Sequence, residues 1–432
     1  MISGNIRRRI GIFTFVLLAI SGCRHGTRDK SMRAPAPGWG APVRVSLGDG
    51  DAAEPAIASS PSGGVYVVWV NHQSSKADVM IARFGSNGQM ENAPVRVNSQ
   101  TGIATAWRGD PPTVAVAPDN TVFVGWTAKV DSASGHATNV YLSSSRDNGR
   151  TFAEPVKVND DIRPAVHGMH SLAIGKDGRI YVAWLDERNI SPEPAMDMKT
   201  KQQSSGHHME SNREVFIASS SDGGQSFSPN QRVATNVCPC CKTALAVGED
   251  RRVYVSWRQV LPGDFRHIAV ASSIDEGRTF SESKVVSDDQ WMLAGCPVSG
   301  SSLALSEDGT LRVLWYSAGS NGETGLYSSE SKDHAQSFAP RVLVDRGETF
   351  GTPVLVKDGN HLQAVWGAIG GKVMTESMTS NVAGEGTALQ ITEGELPAAA
   401  AVSRNLFVAY IRKGDPHQAV WIAMSSPDKS SD

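Results

Sequence analysis

An all-β propeller of seven four-stranded blades is the fold class this sequence predicts, and three observations predict it. First, one strand-like phrase recurs seven times: "GVYVVW" ending at Trp69, "TVFVGW" at Trp126, "RIYVAW" at Trp184, "RVYVSW" at Trp257, "TLRVLW" at Trp315, "HLQAVW" at Trp366 and "NLFVAY" at Tyr410. Its β-branched and aromatic residues suit strands. Second, most copies follow a small-apolar strand and a turn, as in "TVAVAPDN", "SLAIGKDG", "ALAVGED" and "LALSEDG". Asp-Gly and Asp-Asn favour such tight hairpins. Third, the last copy has only three strands before the chain stops, and "APVRVSL" (Ala41 to Leu47) at the front matches the fourth-strand phrase "APVRVNS" at Ala93. The N-terminal strand is therefore expected to complete the last blade and leave no open edge.

Within each repeat the order is read the same way. The inner strand comes first, then the aromatic-ended strand, then a third, then an outer strand such as "PVRVN" (Pro94 to Asn98) or "PVKVN" (Pro155 to Asn159). Four short strands per roughly 45–70 residues is the period of a blade. Between third and fourth strands stand "SRDNGRTF" (Ser145 to Phe152), "SSDGGQSF" (Ser220 to Phe227), "SIDEGRTF" (Ser273 to Phe280) and "SKDHAQSF" (Ser331 to Phe338). The aspartates, Asp147, Asp222, Asp275 and Asp333, are suited to bond their own turn, and the glycine to take a positive φ. Ala335 replaces that glycine in the fourth copy.

These phrases resemble the Asp-box (BNR repeat) of sialidase-like β-propellers. The Asp-box is a structural device, and the resemblance implies the fold. Sialidases have six blades, so a six-bladed ring is the alternative to seven.

The chain of 432 residues carries a formal net charge of −3 and no basic tract, which gives nucleic-acid binding no support. Residues 1–22 read as a signal peptide: Arg7, Arg8 and Arg9, an apolar run from Ile10 to Ile20, then small residues. Ile20-Ser21-Gly22-Cys23 resembles a bacterial lipobox, which implies lipidation of Cys23 and a membrane anchor. Arg24 in place of aspartate points, by the same resemblance, to the outer membrane. Residues 23–39 read as the lipidated cysteine and a flexible tether, and 40–432 as a single propeller domain. A monomer is expected.

Propeller topology then places the cysteines. Loops that enter an inner strand, and loops from second to third strands, lie on the top face. "VCPCCKTALAV" enters blade 4 with Cys238, Cys240 and Cys241; "AGCPVSGSSLAL" enters blade 5 with Cys296; "AVHGMHSLAI" enters blade 3 with His167, Met169 and His170. The blade 3 insertion adds Met196, Met198, His207, His208 and Met209, and Met292 precedes Cys296. Thiolate, thioether and imidazole suit copper or zinc. The candidate metal set is Cys238, Cys240, Cys241, Cys296, His167 and His170. The competing reading is disulfides, Cys296 to Cys238 or Cys241 with a small ring closed by the other two, and free redox-active thiols are a third.

The sialidase resemblance also implies a test. That family needs three arginines for a carboxylate, a tyrosine nucleophile with a glutamate, and an acid/base aspartate. Its Arg-Ile-Pro phrase is absent; "DIRPAV" at Arg163 falls in the wrong blade. Tyr316, Glu210 and Arg258 are the candidate catalytic residues, with Arg188, Arg213 and Arg266 further top-face arginines. "WRGDPP" puts Arg108 and Asp110 at the channel mouth, where an ion pair that pins the loop is the first role to expect and a ligand contact the second. The function expected is a lipid-anchored cell-envelope module that binds a metal or a ligand (small molecule, glycan or protein) at a Cys/His/Met-rich site on the top face of blades 3 to 5. Second comes a sialidase-type glycosidase, third an envelope assembly scaffold.

Overall fold

The computed structural model describes residues 35–48, 50–105, 109–130, 136–190, 212–293, 295, 297–358, 361–378, 388–414 and 417–425. Every regular element among them is a β-strand. The strands group into seven antiparallel units of four, six as separate sheets or half-sheets around the ring and the last completed from the front of the chain. Their inner strands are Asp51–Ser59, Thr113–Val116, His167–Ile174, Ala244–Val247, Ser301–Leu305, Thr349–Asp358 and Glu395–Val402. Each inner strand touches the next, and Glu395–Val402 touches Asp51–Ser59, so the ring closes as a β-propeller. Val43 and Arg44 pair with Ile422 and Trp421, which supplies the outer strand of the last blade, as the N-terminal phrase predicts.

The aromatic-ended phrase is apolar on both faces for a physical reason. A blade is packed between two others, so alternate residues face opposite neighbours. Val65, Val67 and Trp69 join the apolar layer toward the last blade, while Tyr66, Val68 and Val70 join the layer toward the second. Seven such layers, one between each pair of neighbouring blades, form the core. The repeat's six tryptophans and Tyr410 are all essentially buried. Buried indole N–H groups need acceptors: Trp184 donates to Asp186 (2.7 Å), Trp257 to Gln259 (2.7 Å), Trp315 to Asp289 (2.7 Å) and Trp366 to Asp345 (3.0 Å).

The Asp-boxes fold as their residues dictate. In the first, Asp147 Oδ1 accepts from the N–H groups of Arg150 (3.0 Å) and Thr151 (2.9 Å), and Oδ2 from the Thr151 hydroxyl (2.6 Å). Ser145 Oγ takes the Gly149 N–H at 2.9 Å. Asn148 and Gly149 both lie at positive φ, and the fourth box repeats this with His334 (+62°) and Ala335 (+66°). There the Tyr254 hydroxyl meets His334 Nδ1 at 3.1 Å, which anchors a non-glycine residue in the left-handed region. The Ser337 hydroxyl and the turn's N–H groups hold the Asp333 carboxyl down at about 2. A depressed carboxyl stabilises the fold above its unfolded value near 4, and that stabilisation is lost as pH falls toward 2. Asp222→Ala, which removes the same set of bonds in the second box, is expected to lower unfolding free energy by about 2 kcal/mol. Denaturant unfolding at neutral pH measures it; the difference should shrink in acid.

Four inner strands carry a bulge near the top face, with Glu54, Met169, Gly351 or Leu396 at positive φ. The inner strand of blade 4 has none and is short, starting only at Ala244. The chain above it is the turn that holds Cys238 to Cys241.

Candidate functional site: a buried thiol cluster

Strand Gln231–Val237 ends blade 3 with Val237 paired to Gln259 of blade 4. The next N–H, of Cys238, donates to the Arg258 carbonyl at 2.9 Å. Pro239 then turns the chain, and its carbonyl accepts from Arg213 at 2.6 Å. This crossover drives three sulfurs into the apolar layer between blades 3 and 4, where Cys238 and Cys241 are fully buried and Cys240 is 5% exposed. The three sulfurs lie within 4.8 Å of one another. Cys241 Sγ stands 3.4 Å and Cys240 Sγ 3.9 Å from Cys238 Sγ.

Their bonding differs from the expected pairing. Cys238 and Cys241 are free thiols, and Cys240 is the disulfide-bonded one. A bridge from Cys296 to Cys238 or Cys241 is thus corrected. The two cysteines left in the sequence, Cys23 and Cys296, lie outside the described residues.

A buried cation stands against this pair. Arg258 is fully buried, with Nε bonded to the Ser299 carbonyl (3.0 Å), Nη2 to that of Tyr316 (3.0 Å) and Nη1 to that of Arg266 (3.4 Å). Its guanidinium also lies over the Trp291 ring, 4.8 Å from the centroid. Arg266 is buried too, and its Nε and Nη1 have no hydrogen-bond partner. Neither arginine has a carboxylate partner among the described residues. Burying a charge without a counter-charge is unfavourable, and the thiols are the groups placed to supply one. The Cys241 thiol's hydrogen bond, and then the charge of Arg258 working against burial, hold Cys238 below the ordinary thiol range. Burial, and next the neighbouring Cys238, push Cys241 above it. Of the two thiols, Cys238 is the one that ionises first.

The histidines are employed elsewhere. His167 is buried with Nε2 at 3.1 Å from Asp161 and 3.4 Å from Asp186, and Nδ1 on the Thr138 carbonyl. Burial alone would lower its pKa, but the two carboxylates outweigh it and hold the imidazole at about 9. Arg188 bonds the same acids and Asp160. His170 Nδ1 lies 3.6 Å from Asp110. Asp110 itself accepts from Thr127 Oγ1 (2.8 Å) and the Met169 N–H (2.7 Å), and Arg108, its expected ion-pair partner, lies outside the described residues. Neither histidine joins the sulfurs, and the six-residue metal set is reduced among the described residues to the cysteine cluster. Met196, Met198, His207, His208, Met209 and Glu210 lie outside the described residues.

Of the catalytic candidates, Arg258 and Tyr316 are neighbours, with Arg258 Nη2 on the Tyr316 carbonyl at 3.0 Å, and Glu210 lies outside the described residues. Arg258 is spent on backbone carbonyls, Arg188 on three aspartates and Arg213 on Glu187 and Pro239. Tyr316 packs edge-on against Trp291, centroids 5.5 Å apart. Burial raises its phenol's pKa, and Glu348 raises it further by charge alone. Sequence reasoning missed Trp291 and Ser299, which complete the surroundings of Arg258; their only signal is proximity to Cys296 in the chain.

The BNR repeat-like domain family matches residues 65–363. The chain belongs to the BNR-repeat family. No curated protein matches the sequence of this BNR-repeat propeller. Among solved structures, polysaccharide lyase Uly1 shares 12% identity at a TM-score of 0.53, covering 89% of this chain and 92% of its own. A Dyadobacter fermentans protein of unknown function shares 14% identity at a TM-score of 0.49, with 90% and 99% covered. A leech intramolecular trans-sialidase shares 11% at 0.48, with 84% and 83% covered. At these identities the likeness is one of fold.

Proposed function

We propose that this BNR-repeat propeller is a binding module of the cell envelope, anchored through a lipid on Cys23, whose site takes a single copper(I) ion between Cys238 and Cys241. The observation that supports it is the pair of free, buried thiols 3.4 Å apart beside the buried, carboxylate-free Arg258. Donor type and number favour copper(I): a soft ion accepts two thiolates, whereas structural zinc takes four ligands. Charge favours it as well. Two thiolates and one monovalent cation leave a negative charge beside buried Arg258 and Arg266, whereas a divalent ion would leave none. A glycan-acting propeller is the second reading, on the likeness of fold to polysaccharide lyase Uly1.

The test is a copper(I) competition titration against a chromophoric chelator, on protein purified from periplasm without added metal. One tightly held copper per chain is expected. Cys238→Ser and Cys241→Ser should each weaken binding by about 100-fold or more, since a thiolate donor is lost from a site of two. Zinc should not displace the ion. Equal copper affinity in both variants and wild type would reject the site.

A further inference from the structure

The disulfide at Cys240 gives the cluster a chemistry that metal binding does not use. We propose that Cys238, Cys240 and Cys241 form an internal thiol–disulfide relay that moves the disulfide between Cys240 and the Cys238–Cys241 pair. Three observations point to it. Cys240 is already bonded, while Cys238 and Cys241 are free. Cys238 Sγ stands 3.9 Å from Cys240 Sγ, close to sulfur–sulfur contact, and Cys241 Sγ waits 3.4 Å behind it. Buried Arg258, with no carboxylate partner among the described residues, stabilises whichever sulfur carries the negative charge.

The steps balance without an outside oxidant or reductant. A thiolate attacks a disulfide sulfur and expels the other as thiolate. Here the Cys238 thiolate attacks Cys240 Sγ. A Cys238–Cys240 bond forms, the bond from Cys240 to its partner breaks, and the partner leaves as a thiolate. That thiolate takes up a proton as Cys241 gives one up. Cys241 then attacks Cys238 Sγ; the Cys238–Cys241 bond forms and Cys240 departs as the thiolate. One disulfide, one thiolate and one thiol exist before and after. Cys238 Sγ, 3.9 Å from Cys240 Sγ, is placed to make the first attack, and all three sulfurs lie within 4.8 Å of one another.

The buried turn also supplies what the exchange needs in space. Cys238 to Cys241 share one turn, so the two bonds that form join residues two and three apart in the chain. Formation of the Cys238–Cys241 bond removes both donors proposed for copper. The relay does not depend on that reading, since it runs in metal-free protein.

The experiment uses the metal-free full chain, kept at neutral pH without reductant. Samples are quenched in acid at intervals and unfolded. Free thiols are labelled with N-ethylmaleimide, and bonded ones are reduced and labelled with iodoacetamide. Peptide fragmentation then reads which label each cysteine carries. The expected result is maleimide on Cys240 in a growing fraction of wild-type molecules, with Cys238 and Cys241 protected in that same fraction. Cys241→Ser should stop after the first step, with Cys238 protected in its bond to Cys240 and no maleimide on Cys240. Cys238→Ser should reduce labelling of Cys240 by about tenfold or more, since the attacking thiolate is gone. Maleimide absent from Cys240 in wild type after overnight incubation, with Cys238 still carrying maleimide in Cys241→Ser, would overturn the relay; these two arms decide this even if Cys238→Ser does not fold. Failure here leaves the copper titration untouched, and failure of copper binding leaves these labels unchanged.

Discussion

Arg258→Met is expected to lower unfolding free energy by about 3–5 kcal/mol. Methionine nearly fills the volume of the arginine stem, so the loss reports on polar contacts rather than on a cavity. The substitution strands the carbonyls of Ser299 and Tyr316, each 3.0 Å from the guanidinium, inside the protein. It also removes the buried positive charge that faces the thiols. The Cys238 thiol should then titrate higher, toward the ordinary range, because the Arg258 charge is among the causes that hold it down. Denaturant unfolding gives the first effect, and the pH titration of thiolate ultraviolet absorbance gives the second. Arg258→Lys keeps the charge but not the planar fork that reaches separate carbonyls, and should fall between. A loss below about 1 kcal/mol in the methionine variant would show that the guanidinium's bonds are not holding blades 4 and 5 together.

Asp186→Ala is expected to remove a similar amount, about 4 kcal/mol, for a different reason. Asp186 is fully buried and accepts from Trp184 Nε1 (2.7 Å), the Arg188 N–H (2.8 Å) and Arg188 Nε (3.0 Å), beside charged His167. Alanine leaves a buried imidazolium with one carboxylate instead of two. The same cluster sets the pH dependence of the wild type. His167 is raised from 6.5 to about 9, so its contribution is fully present below 6.5 and is lost as pH rises through about 9. Burial works against ionisation of Asp161 and Asp186, but His167 and Arg188 win and lower both carboxyls. Their contribution is present above the unfolded value near 4 and lost in acid. Stability from this cluster should therefore be flat between about pH 5 and 6.5 and fall on both sides. The alkaline limb should be shallower in Asp186→Ala. A wild-type midpoint that does not change between neutral pH and pH 10 would contradict the pairing.

The ring was legible because its signal is periodic. The phrase ending at Trp69, Trp126, Trp184, Trp257, Trp315, Trp366 and Tyr410 repeats a packing requirement, burial on both faces between blades, and each copy became a second strand. The Asp-boxes were legible because Asp147, Asp222, Asp275 and Asp333 bond their own turns, within four residues. Topology also placed Cys238, Cys240 and Cys241 correctly at the crossover into blade 4. What sequence could not show was which sulfurs are bonded, since Cys238, Cys240 and Cys241 are equally near in the chain. Arg258 was misjudged as a substrate arginine because its partners are backbone carbonyls 41 and 58 residues away, and a carbonyl has no signature in a sequence. His167 was read as a possible ligand, although Asp160, Asp161 and Asp186 flank it closely enough in sequence to have suggested ion pairing.

The site proposed for this propeller is a two-thiol centre for a monovalent soft ion, with the histidines of blade 3 committed elsewhere. Copper X-ray absorption on the full chain loaded with one equivalent of copper(I) tests it most directly. The predicted spectrum is that of a reduced copper ion with two sulfur neighbours and no nitrogen. Imidazole scattering from His167 or His170, or a chain that takes up no copper while Cys238 and Cys241 remain free thiols, would contradict it.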